Sequence, residues 1–333
     1  IADFPLGGLS RTEIMEQAFS EEGIPAVTHC LSMIPLLFAR EMVVGSTPGH
    51  LMTKPAPGTG ASLLNDVCST IATGQPTPAV AMPRNPEEMS KTLITFMADG
   101  SPIIYFDNIS AGVDSGELAS AMTAPKYKAR MLGKSQTVEA EVRCVWVFTG
   151  NNVQLSNELL RRLVMIDLDA RMANPEMRTK FKHKDIVTWA KENRGELVHA
   201  CLTIIQNWLA QGRPAYEGPA LNSFENWSRV MGGIMHTAGL NGFLGNRDEL
   251  KEIASDDADD EVVPLLDVWW DDHANERVVV KLNKDIPSLM ELALENDIQL
   301  PIRMKVNVDG DRTLDGRAFG KFLTQHRGRV FVL

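Results

Sequence analysis

Lys54-Pro55-Ala56-Pro57-Gly58-Thr59-Gly60-Ala61-Ser62-Leu63 is the stretch on which the reading of this chain turns. A short apolar run, Leu51-Met52, precedes it, and residues 63–71 follow with the periodicity of a helix. The order strand, glycine loop, helix is a phosphate cradle by geometry. Backbone N–H groups line such a loop, and the helix N-terminus adds positive potential. Gly58 and Gly60 supply the backbone freedom, and Ser62 offers a hydroxyl where such loops hold Mg²⁺. A lysine ordinarily stands immediately before that hydroxyl and neutralises the β- and γ-phosphates. Ala61 occupies the position here, a loss expected to weaken nucleotide binding and catalysis. Lys54, at the start of the loop, is the candidate replacement. The plain alternative is a Gly/Pro turn between a strand and a helix, so the loop alone does not assign a nucleotide site.

Two further strand ends lie downstream. Residues 102–106 are continuously apolar, as in a central parallel strand, and end in Asp107-Asn108. A carboxylate there can hold Mg²⁺ through water beside a phosphate loop. A glutamate usually follows it to polarise the attacking water; Asn108 can orient a water but is a poor base. The alternative is that Asp107 caps the next helix. Residues 144–149 form a third strand ending in Thr149-Gly150-Asn151-Asn152, where a polar side chain can position the attacking water, or where an ordinary Gly-Asn turn can sit. Helices at 86–97, 115–122 and 155–162 and a fourth strand at 163–168 complete the alternation. The pattern predicts an α/β core with a mainly parallel sheet.

The expected organisation is a helical N-terminal lead-in (1–45, with amphipathic stretches at 11–21 and 27–42), the α/β core (46–172) and a helical lid (173–245). The lid rests on helical patterns at 186–192, 196–210 and 224–238 without strands between them. The run Asp256-Asp257-Ala258-Asp259-Asp260-Glu261 reads as a solvated acidic linker, 246–262. Residues 263–333 read as a small α/β tail ending in a turn at 309–311, a helix at 316–326 and a strand at 329–333. That tail suits either a winged-helix-like module or a packing domain. Trp189, Trp208, Trp227 and Trp269 fit helical core positions better than stacking platforms.

A chain of 333 residues with 44% hydrophobic content supports two or three domains. Its net charge of -10 excludes nucleic-acid binding through a global positive field. Any such contact needs a local basic element. Lys126, Lys128, Arg130 and Lys134 supply one, with no acid among them, unless they simply decorate a solvated hairpin. The four cysteines form no C-x-x-C pair, so neither zinc nor a disulfide framework is expected, and a reducing, cytoplasmic setting fits. No apolar run of about 18 residues predicts a membrane span. The first residues read as neither a start nor a signal peptide, and the chain is expected to be a piece of a longer polypeptide.

Taken together over residues 45–245, these stretches resemble the AAA+ P-loop ATPases, and among them the superfamily 3-type helicase ATPases of phages and integrative mobile elements. The loop resembles a variant Walker A motif (Gly-Thr-Gly-Ala-Ser), Asp107 a Walker B aspartate, and Asn151 or Asn152 a sensor 1. Residues 121–135 resemble the segment that, in such proteins, forms a β-hairpin gripping DNA in a ring pore. The resemblance implies ATP and Mg²⁺ as cofactors, with Lys54 and residues Pro57, Gly58, Thr59, Gly60, Ala61, Ser62 and Leu63 on the nucleotide, and Ser62 and Asp107 on the metal. It implies that Arg161 or Arg162, the latter preferred, reaches a neighbouring subunit's nucleotide; the alternative is decoration of a helix C-terminus. It implies that Arg229 acts as a sensor 2, unless it is a surface arginine beside a core Trp227. It further implies a ring, as a hexamer, working on single-stranded or forked DNA in replication. Ala61 and Asn108 depart from the pattern and support a second reading, a degenerate nucleotide-binding scaffold with little hydrolysis. A protein remodeller is a third; the basic segment argues against it, and Tyr127 keeps it open.

Overall fold

The computed structural model describes residues 1–109, 115–131, 137–151, 153, 155–179, 181–273, 289–296, 298, 300, 304–306, 312–314 and 316–325. Two compact units divide the chain, Ile1–Lys251 and Glu252–Leu333. The first contains α1 (Arg11–Gln17), α2 (Pro25–Ala39), β1 (Gly49–Lys54), α3 (Ala61–Thr73), α4 (Pro86–Ala98), β2 (Ile103–Ile109), α5 (Gly116–Thr123), β3 (Lys126–Arg130), β4 (Thr137–Glu141), β5 (Val145–Asn151), α6 (Asn157–Leu160), β6 (Leu163–Asp167), α7 (Ile186–Glu192), α8 (Arg194–Ala210), α9 (Glu225–Thr237) and the start of α10 (Arg247–His273). The second holds the rest of α10, α11 (Leu289–Glu295), β7 (Met304–Val306), β8 (Arg312–Leu314) and α12 (Gly316–Gln325).

Four strands make a parallel sheet in the order β2-β5-β1-β6. Both faces of the sheet are covered, so the first four residues of each strand are buried whichever way they point, and β2, β5 and β6 open on continuous apolar runs. Met52, Tyr105, Val147 and Val164 belong to one core with residues of α2, α3, α8 and α9. Leu51, Phe106, Trp146 and Leu163 belong to another with Met89 and Leu93 of α4 and Leu118 and Met122 of α5. Burying side chains of this size stabilises by about 1.5–3 kcal/mol each. A slip of one residue would exchange the two faces, so the packing fixes the register.

Specific hydrogen bonds tie the helices together and to this sheet. His29, buried on α2, bonds Met165 O through Nδ1 at 2.8 Å and accepts the Leu244 N–H at Nε2, also at 2.8 Å. Those two bonds set the tautomer, with the proton on Nδ1, and burial pulls the ring's pKa down to about 4. Arg194, opening α8, donates to Ile71 O and Ala72 O, both at 3.0 Å, and so satisfies the last carbonyls of α3. Trp208 and Trp227 are buried core residues.

β3 and β4 pair antiparallel as a hairpin beside the sheet. Its half-buried Tyr127 hydroxyl meets Ser90 Oγ of α4 at 2.9 Å, while Lys126, Lys128 and Arg130 alternate onto the exposed face. In the second unit, Leu265, Ala293 and Phe319 form a small apolar cluster, and β7 pairs antiparallel with β8.

The acidic residues 247–262 lie within α10. Acidity does not break helices: glutamate and alanine are good helix formers, and Asp248 and Glu249 in the first turn complement the helix dipole. The turn expected at 309–311 and the strand expected at 329–333 lie outside the described residues.

Candidate functional site

All four parallel strands end at one edge of the sheet, the edge where open α/β sheets receive ligands. β1 ends in Lys54 and β5 in Asn151, which are register partners. Because β5 lies between β1 and β2, Thr149 and Asn151 are carried between the loop after β1 and Asp107 on β2. The strand order therefore assembles residues that are up to a hundred positions apart in sequence.

Asp107 is the hub. Its Oδ1 accepts from Ser62 Oγ at 3.0 Å, from Tyr105 OH at 2.5 Å and from Thr149 Oγ1. Burial pushes the carboxyl's pKa up, but the hydrogen bonds from Thr149, Tyr105 and Ser62 and the charge of Lys54 outweigh it, so the group sits below its ordinary value. Tyr105 is pushed the other way, by burial and by the proton it donates to Asp107. Asp66 follows Ser62 by one helical turn on α3; its carboxyl is pushed up by burial and by the negative charge of Asp107.

Asn108 explains itself locally. Its φ is +52°, and its N–H donates to Thr149 Oγ1 at 3.0 Å. There the pairing of β2 with β5 breaks register, between Phe106 and Ile109. Asparagine tolerates the left-handed region, where a glutamate would be strained. Opposite Ile109, a Cβ on Gly150 would come within 2.6 Å of Ile109 O, so the close approach of the two strands requires glycine.

The loop itself is a cradle. Gly58 and Gly60 take φ of +82° and +101°, and buried Thr59 closes the turn by donating Oγ1 to Ala56 O at 2.7 Å. Leu64 N is the first to bond back into α3, to Gly60 O at 2.8 Å. The N–H groups of Ala61, Ser62 and Leu63 are the open donors of the first turn. Ala61 is buried at 1% exposure and packs into the core rather than lining the loop. Three observations fit a nucleotide with its metal. The donor set of a hydroxyl beside a carboxylate is hard oxygen, the kind Mg²⁺ takes. The open N–H groups suit phosphate. The Oδ1 of Asn151 is buried without a partner among the described residues, an acceptor suited to a donor such as a bound water.

A cleft of about 250 Å³ adjoins the loop, lined among others by Asp3, Phe4, Leu63, Arg178, Phe181 and His183. Asp3 organises it. Its carboxylate accepts the N–H groups of Lys182 and His183 at 3.1 and 3.3 Å, and its carbonyl accepts Arg178 Nη2 at 2.6 Å. Leu63 apart, sequence reasoning missed these residues; they come from the chain's start and from the stretch after β6, and no motif marks them.

The predicted arginines separate. Arg162 is 12% exposed in its side chain; it donates to Glu158 O and, at 3.2 Å, to Glu158 Oε1. Burial and its neighbour Arg161 pull its guanidinium below the ordinary value. Arg161 is 65% exposed, with Glu158 Oε1 at 3.7 Å. Both arginines thus face Glu158, Arg162 from a largely covered position and Arg161 from an exposed one. Arg229 is not brought to the cluster. Trp227 of α9 packs on His50, with ring centroids 6.3 Å apart, at the opposite end of β1 from the loop, and Arg229 is exposed.

The basic hairpin also differs from its sequence. Lys126 lies opposite Glu141, Lys128 opposite Glu139 and Arg130 opposite Thr137, and Lys126 Nζ sits 3.3 Å from Glu139 Oε1. The acids that the run Lys126–Arg130 lacks arrive from β4. Asn152 and Lys134 lie outside the described residues.

No family profile matches the chain, and no curated protein does. Among solved structures it is similar to the NrS-1 C-terminal region in its apo A form, at 11% identity over 91% of this chain and 73% of that one, with a TM-score of 0.43. It is similar to the JCV helicase at 11% identity over 73% and 70%, TM-score 0.31. It is also similar to SCCmec type IV Cch, an active helicase, at 11% identity over 92% of this chain and 60% of that one, TM-score 0.38. Likenesses of this size leave the functional reading to the geometry. Among the described residues no helix is long and apolar enough to cross a membrane.

Proposed function

We propose that the strand-end cluster binds ATP with Mg²⁺ and that the chain is the motor core of an AAA+-type oligomeric ATPase acting on DNA. The observation that carries this is the 3.0 Å contact of Ser62 Oγ with Asp107 Oδ1 at the mouth of a glycine loop. It puts a phosphate cradle, a hydroxyl and a carboxylate in one place. Ser62 and Asp107 hold the metal. When bound, Mg²⁺ supplies charge that stabilises the phosphates as negative charge shifts in the transition state. The N–H groups at the start of α3 orient the phosphates, and Asn151 positions the attacking water. Lys54, whose charge reaches Asp107, contributes the positive field that Ala61 cannot. The base lies in the cleft organised by Asp3. Arg161, the more exposed of the two arginines, serves the nucleotide of a neighbouring copy.

The wider reading rests on the sequence resemblance and on the hairpin: a ring, as a hexamer, on single-stranded or forked DNA, in the cytoplasm, replicating a phage or mobile element. In that reading 173–245 acts as a lid and 263–333 as a winged-helix-like module. One observation favours the second reading, a nucleotide-bound scaffold with little turnover: Asn108 lies in a backbone conformation that disfavours the glutamate of active relatives. ATP hydrolysis with and without single-stranded DNA, together with mass in solution, separates the two. The motor gives DNA-stimulated turnover that Asp107→Ala lowers by on the order of a hundredfold. Nucleotide binding without turnover establishes the scaffold instead.

A further inference from the structure

All three hydroxyl donors to Asp107 engage the same oxygen, Oδ1, yet they are placed differently. Ser62 opens α3 and is itself a ligand for the metal in the proposed site. Thr149 also accepts the Asn108 N–H. Tyr105 approaches from two residues upstream on the same strand face, with its ring 2% exposed in the core. A phenylalanine would fill that volume equally well. A tyrosine hydroxyl in a core position needs a partner, and the partner here is a carboxylate at 2.5 Å, within the range of a charge-assisted bond. The ring's packing leaves it little freedom to lose, so the bond holds Asp107 at small entropic cost.

We propose that Tyr105 is a positioning residue for the metal site: its hydroxyl pins Asp107 through Oδ1 and leaves Oδ2 to the ion once Ser62 has been recruited as a ligand. The inference rests on the metal-and-nucleotide reading above. With alanine at 61, neutralising the phosphates falls more heavily on the metal, so the placement of its carboxylate matters more than in a loop that keeps the lysine.

The test uses the full chain and Tyr105→Phe, which keeps the ring and removes one donor. Three quantities are measured: Mn²⁺ affinity without nucleotide, by electron paramagnetic resonance of the free ion; affinity for a fluorescent ATP analogue in EDTA; and the melting temperature. The expected result is Mn²⁺ binding weakened about tenfold, the size of one lost charge-assisted hydrogen bond, with metal-free nucleotide affinity unchanged. In an Asp107→Asn background the same substitution then has no further effect on Mn²⁺. Equal Mn²⁺ affinities in wild type and Tyr105→Phe overturn the proposal, as does a wild type that takes no Mn²⁺ at millimolar concentration. A wild type that binds Mn²⁺ but no nucleotide ends the nucleotide reading, while the metal comparison still decides the role of Tyr105. Tyr105→Met takes the place of the Phe variant if the latter does not fold.

Discussion

At the strand ends one carboxylate gathers three hydroxyls, all on one oxygen and partly shielded from water. On the β3–β4 hairpin, lysines and glutamates face one another across an open surface, and Lys126 and Glu139 are 58% and 50% exposed. Both regions are built of ordinary polar residues. In the first, shielding makes each hydrogen bond count, because an unmade one leaves a desolvated group unpaired. In the second, water and salt screen the charges, and such a pair contributes about 0–1 kcal/mol. The strand ends are thus built to hold something in fixed geometry, and the hairpin to present charge whose net value depends on its neighbours.

The contrast is open to attack at Lys54 first. Lys54→Ala should weaken nucleotide binding by about tenfold or more, since it removes a full charge beside phosphate, whereas a change at exposed Lys191 should leave it within about twofold. Isothermal titration of both variants decides; equal affinities mean Lys54 does not replace the missing lysine.

The adjacent arginines test the same rule within two residues. Arg162→Ala should cost about 0.5–1.5 kcal/mol of stability, because a largely covered side chain and its hydrogen bonds to Glu158 are lost. Arg161→Ala should cost less than about 0.5 kcal/mol, yet lower turnover in the assembled protein. Urea unfolding and hydrolysis by mixtures with wild-type subunits read the two effects separately. Stability loss at Arg161 and activity loss without destabilisation at Arg162 would invert the assignment.

The smallest effect is expected on the hairpin. Glu139→Gln with Glu141→Gln unmasks Lys126 and Lys128, so single-stranded DNA affinity should rise by about two- to threefold and fall more steeply with salt. Fluorescence anisotropy at two salt concentrations measures both. No gain in affinity would mean that this face does not meet DNA.

Much of the fold was legible in the chain. The strands β1, β2, β5 and β6 follow from runs such as Ile103-Ile104-Tyr105-Phe106, because a strand buried on both faces has no polar positions to alternate. The loop followed from its glycines, and Asp107 and Ser62 from their places relative to it. The helix through the acidic stretch was not legible, because charge density says how solvated a segment is, not whether its backbone is helical. Tyr105 looked like one more apolar strand residue, and nothing near Asp3 or Arg178 suggested a cleft.

By itself the sequence determined the four parallel strands and most of the helices of the core, where the loop lies and which side chains stand at strand ends, because these depend on local periodicity and on glycine's backbone freedom. Only the tertiary structure decided which groups meet. The order β2-β5-β1-β6 brought Thr149 and Ser62 to one oxygen of Asp107. The folding of β4 onto β3 set Glu139 and Glu141 against the lysines. The turn after α6 spent Arg162 on Glu158 and left Arg161 exposed. Hydrogen bonds and screened charges act over a few ångströms, and distance along the chain carries no information about distances of that size.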